Sequence, residues 1–299
     1  MTLVVQAQRP VLSLRNQMMP NRLADLLGCA HTGYALDKCV RETEKIIFDN
    51  GGNKRFYGYL LHGVRPNADL WRKLIARFPQ LAEDMENPLW LALHDLDECL
   101  WDNLAAGITV GSGGFPGSSQ RQMNRLCGVP SWERLGVLLL VLRTKVPSLI
   151  LHRLWLARNF TSYFALASLQ SPFSYIAADI YSLVNAILGK VDVGESGVLW
   201  WPTDEQEFEI YLDRMMFLAS RLITNGWTRR MDRSGVLLLW MVLRKSEYLD
   251  YLQLHEQRGR GERIPDALRI AWHRELQYLN DADIHIAGLE NVKYVIPRL

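Results

Sequence analysis

Asp95, Glu98 and Asp102 fall at i, i+3 and i+7 in a stretch with helical patterning, so one face carries all three carboxylates. Oxygen ligands in a row suit a hard cation such as Mg²⁺ held against a phosphate. His94 stands one turn from Glu98. The same row is also what a solvated helix face carries. No second carboxylate helix matches it, and the nearest acids, Asp281 and Asp283, read as loop.

Arginine and lysine offer a second chemistry. Within Gly107–Gln122, the glycine-rich run Gly111–Ser119 is uncharged and can enter a helix at Ser118 or Ser119, with Arg121 and Arg125 just behind that entry. Backbone amides at such an entry can cradle an anion. The stretch lacks Gly-Lys-Ser/Thr and a preceding strand, so it is neither a P-loop nor a dinucleotide fingerprint. A plain linker is the competing reading. Two further basic loops hold Arg229, Arg230 and Arg233, then Arg258, Arg260 and Arg263. Arginine forks there can grip phosphates.

A third set, Lys38, Arg41 and Lys45, depends on a helix-turn-helix reading. Asn21 is placed to cap a helix carrying Leu23, Ala24, Leu26 and Leu27, and Gly28 is placed to stop it. A second helix is expected from Tyr34 to Phe48, with Leu36, Cys39 and Val40 inward. Turn chemistry at 49–54 and an extended-looking Arg55–Leu61 then predict a strand. Helix, turn, helix, hairpin is the order of a winged helix. Asp37, Glu42 and Glu44 dilute the basic face, and an ordinary helical hairpin fits the same residues.

Other chemistries find little. The seven histidines have no base or nucleophile at a telling spacing, and no Gly-x-Ser-x-Gly element occurs. The four cysteines, Cys29, Cys39, Cys99 and Cys127, form no Cys-x-x-Cys and read as reduced thiols of a cytoplasmic protein. No motif calls for a cofactor.

Helices must position all of this. Trp132–Leu188 is the most apolar stretch and reads as the central helices of a buried core, with starts at Pro147, Thr161 and Pro172. Asn159–Ala178 carries no charge, yet its serines, amides and Ser171-Pro172 argue for core helices rather than a membrane span. Pro66-Asn-Ala-Asp and Asn87-Pro88 open two more helices, the second running to about Ala106. A capping box at Thr203–Gln206 opens another, which Asn225-Gly226 closes. Ser234–Gln257 reads as one long helix and Pro265–Leu279 as the last. Arg233-x-Gly-Val-Leu-Leu-Leu echoes Arg134-x-Gly-Val-Leu-Leu-Leu, as a weak duplication or as two leucine-rich helices. Asn291–Ile296 is a candidate strand to pair with Leu3–Gln6.

The expected fold is therefore mainly α, a multi-helix globular bundle with a minor β-hairpin near the N-terminus. Residues 1–65 form the winged-helix-like region and 66–299 the helical body, with a sub-boundary at 189–202. One compact domain is the equal alternative. Net charge is +2, but Glu83–Asp102 holds only acids and 103–178 mostly bases. Ten tryptophans exceed what a core needs. Three functions fit: a nucleic-acid-binding or regulatory protein, an assembly subunit that self-associates or meets a protein partner, or a Mg²⁺-dependent enzyme on a phosphate-bearing substrate.

Overall fold

The computed structural model describes residues 2–42, 55–94, 98–111, 114–115, 117–189, 200–254, 264–279 and 284–289. In chain order the helices are α1 (Thr2–Leu27), α2 (Gly33–Glu42), α3 (Arg55–His62), α4 (Ala68–Arg77), α5 (Gln80–Met85), α6 (Pro88–Ala92), α7 (Glu98–Ala106), α8 (Gln120–Cys127), α9 (Trp132–Arg143), α10 (Ile150–Ser168), α11 (Ala177–Leu188), α12 (Glu205–Thr224), α13 (Arg233–Leu243), α14 (Ser246–Leu254) and α15 (Asp266–Tyr278). Strands β1 (Ile108–Val110) and β2 (Ile284–Ile286) pair antiparallel, Thr109 opposite His285. The mainly α expectation holds. No helix among the described residues is long and apolar enough to cross a membrane.

The N-terminal β-hairpin is wrong. Its turn, 49–54, lies outside the described residues, and Arg55–Leu61 lies in α3. Phe56 and Tyr59, three apart, are the buried pair, a helical interval rather than an alternating one. The only strands described lie at 108–110 and 284–286. Leu3–Gln6 is helical, so it pairs with no terminal strand, and 291–296 lie outside the described residues.

The chain divides into two compact units. Unit 1 takes Met1–Leu96, Gln170–Lys190 and Lys293–Leu299. Unit 2 takes Asp97–Leu169 and Val191–Val292.

In unit 1, α1 is one continuous helix although Pro10 and Pro20 lie inside it. Asn21 is therefore an interior residue, its amide donating back to Gln17 O at 2.9 Å. Gly28, at φ 62°, ends the helix as expected. Met19, Leu23 and Ala24 of α1 join Leu36 and Val40 of α2, Phe56 of α3, and Leu70, Leu74, Leu81 and Met85 in one core. Gly33 lets α2 start against α3: a Cβ there would lie 2.6 Å from Tyr57 N. Asn67 caps α4, accepting from Leu70 N at 2.7 Å, and Asn87 caps α6, accepting from Leu89 N at 2.8 Å. The helix opened by Asn87 ends at Ala92 rather than about 106.

In unit 2, α9 is buried continuously from Leu135 to Leu142, so it is surrounded on every side. α10 packs on α9 and runs unbroken through Thr161, which starts no helix. The break expected at Ser171-Pro172 is present. Ser119 caps α8. Asp204, not Thr203, caps α12, accepting from Glu207 N at 2.8 Å, while the Glu207 carboxylate accepts from Thr203 N at 2.7 Å. The expected long helix from Ser234 is two, α13 and α14.

Candidate functional site: an arginine-centred cleft

Unit 2 holds a cleft of about 290 Å³ lined by α8, α13, α14 and α15. Each wall follows from helical spacing. On α8, Gln120 and Asn124 stand one turn apart and face it. On α13, Leu237, Trp240, Met241 and Arg244 make an i, i+3, i+4, i+7 stripe. On α15, Ala271, Arg274 and Glu275 repeat that interval. Asp232 fixes where α13 begins, accepting from Ser234 N at 3.0 Å and Gly235 N at 3.2 Å.

Arg244 is the centre. Its Nη1 donates to Asn124 Oδ1 at 2.8 Å. Asn124 Nδ2 donates to Glu275 Oε2 at 3.2 Å, and Gln120 Nε2 donates to Asn124 Oδ1 at 2.7 Å. Trp155 Nε1 donates to Gln120 Oε1 at 3.2 Å. The guanidinium carbon lies 5.0 Å from the Trp155 ring and 5.3 Å from the Trp240 ring, within cation–π range. Burial lowers the Arg244 pKa, and Cys127 and Glu275 work the other way. An arginine starts so high that it stays a cation. Lys245, Tyr248 and the exposed Arg274 complete the lining. The charged lining is thus Arg244, Lys245 and Arg274 against Glu275. A partly dry, aromatic cleft with a fixed cation suits a planar or phosphate-bearing group.

The residues singled out from sequence spread over both units. Arg121 lies at the cleft's edge, its guanidinium 4.4 Å from the Tyr278 ring of α15. Arg125 rests against the turn after β1, where a Cβ on Gly111 would lie 2.6 Å from Nη2. Arg233 joins α13 to α15, its Nη2 donating to Leu279 O at 3.1 Å. Arg230 pairs with Asp232 at 2.7 Å, and Arg229 is exposed. Lys38 and Arg41 line a separate hollow of about 210 Å³ in unit 1 with Tyr34, Asp37 and Glu42, where acids match bases. Lys45, Arg258, Arg260 and Arg263 lie outside the described residues.

Of the proposed metal set, Asp95 lies outside the described residues and Glu98 opens α7. Asp102 accepts from Thr144 Oγ1 at 2.6 Å and from Lys145 N at 2.8 Å. Glu98 and Asp102 lie one turn apart on α7. No group of three or more His, Cys, Asp or Glu among the described residues is placed to hold a metal ion.

Sequence reading did not single out Arg244, Lys245, Arg274, Gln120 or Asn124 as a site. The available signal was Trp240 four residues before Arg244, a pair that meets on a helix face. No known protein family, curated protein or solved structure matches the chain.

Proposed function

We propose that the protein binds nucleic acid through unit 2, with a single strand as the preferred form. The observation that supports this reading most is Arg244, set against both Trp155 and Trp240, in a cleft lined by Trp240, Lys245, Arg274 and Tyr248. Aromatic faces take bases, and cations beside them take the phosphates that follow. Arg121, on the same helix as Gln120 and Asn124, adds a cation over the Tyr278 ring. The cleft is narrow for a duplex and wide enough for one ring or one phosphate group.

The test is fluorescence anisotropy with labelled single- and double-stranded DNA and RNA across a salt series. Micromolar binding with a steep salt slope is expected, single strands leading. Replacing Lys245 and Arg274 by alanine should weaken binding to all sequences alike and shallow the slope by about 2. No binding at low salt, or an unchanged slope in the double variant, sinks the reading.

A further inference from the structure

The outer face of α12 carries apolar side chains that no described residue covers. Ile210 is 62% exposed and Phe217 54% exposed. They stand two turns apart on one line, opposite the line that buries Phe208, Met215, Leu218 and Leu222. Met216 and Ile223, also exposed, lie on a separate line roughly a third of the way around the helix. Between Ile210 and Phe217 lie Asp213 and Arg214, both exposed. The charges are ordered along the helix: Glu205, Glu207, Glu209 and Asp213 come first, then Arg214 and Arg221. None of these residues lines the arginine-centred cleft.

We propose that this face is where a second copy of the chain docks, α12 against α12, antiparallel, with the two-fold axis between Asp213 and Arg214. That register sets each Ile210 against the partner's Phe217. It sets each Asp213 opposite the partner's Arg214 and each Gln206 opposite the partner's Arg221. The acidic end of each helix then runs beside the end that carries Arg221 in the other copy. A parallel pair would place acid on acid. The match is self-complementary, as a two-fold interface requires. The strip between Ile210 and Phe217 spans only about 10 Å, so the interface sits at the small end of specific contacts. Association is therefore weak and concentration-dependent.

Sedimentation across roughly 1 to 200 µM should show the mass moving from one copy toward two. Phe217→Glu should shift the midpoint upward at least tenfold with the helical circular dichroism unchanged, because the side chain is half exposed. Asp213→Arg should weaken association, and adding Arg214→Asp in the same chain should restore it. For the register, Ile210→Cys and Phe217→Cys chains oxidised together should cross-link to each other. Neither should cross-link to itself beyond the background set by the parent's exposed Cys99. A chain monomeric over the whole range overturns the proposal. So does a dimer indifferent to Phe217→Glu, or one in which Ile210→Cys links to itself. Nucleic-acid binding is read separately, so loss of either property leaves the other intact.

Discussion

Asp102 joins the end of α7 to the chain leaving α9 through two short hydrogen bonds. Replacing it by alanine strands the Thr144 hydroxyl and the Lys145 amide, and should cost about 1–3 kcal/mol in urea unfolding. His94 is 2% exposed, and burial, with the charge of Arg15 second, holds its pKa at about 4. An unfolded histidine takes its proton near 6.5. The unfolded chain therefore binds more protons between those values, and stability is full above 6.5 and drains as pH falls toward 4. The loss should be on the order of 2–3 kcal/mol, and His94→Gln should flatten that part of the profile; an unchanged slope would refute it. Cys127 is buried and pushed up to about 12, and Cys29 to about 11, both by desolvation first. A thiol reagent at mild pH should label exposed Cys99 first and reach Cys127 only on unfolding. The Asn87 cap was legible in the sequence because a cap acts over three residues, whereas Asn21, read the same way, lies inside α1. Arg244 was not legible, because its partners come from positions 120 residues away and more widely, and only the assembled helices place them together.

The elements separate along the same line. α4 and α12 were readable because their caps, apolar intervals and stop signals agree. α1 was not, because two interior prolines normally break a helix at about 3 kcal/mol each. Burial of Val11, Leu14, Met18, Met19 and Leu23 offsets that locally. α3 was misread because Phe, Tyr and Leu favour strands in isolation, and the packing of α1 and α2 against it decided otherwise. α9 and α13 share more than leucines: each is buried nearly throughout and ends in an arginine over tryptophan, Arg143 at 3.9 Å from Trp101 and Arg244 at 5.3 Å from Trp240. Losing the α13 cap through Asp232→Ala should cost about 0.5–2 kcal/mol, and Leu239→Ala inside it about 2–5 kcal/mol. Thermal or urea unfolding measures both, and equal small effects would mean that α13 is less enclosed than its burial indicates.

Over the whole molecule, the mainly helical class was legible from composition and period, but the division into units was not. Unit 1 is discontinuous, and α11, in its second segment, sits in sequence between α10 and α12 of unit 2. No local signal announces such an excursion. Separate cores predict separate responses: Leu23→Ala should speed amide exchange in α1–α5 while α9 and α13 keep their protection. Uniform loss across both sets would show one cooperative body instead. The pairing of Ile108 with Ile286 also sets a timetable for synthesis. β1 leaves the ribosome long before β2 exists, and Gly107 O, which accepts from Ala287 N at 2.9 Å, must wait as long. Unit 1 likewise stays incomplete until α11 has emerged. A growing chain therefore carries an unpaired strand edge and leucine-rich helices from the emergence of β1 until β2 follows. Chains stalled before residue 284 should hold chaperones longer than chains released just after residue 287, which can close the pair.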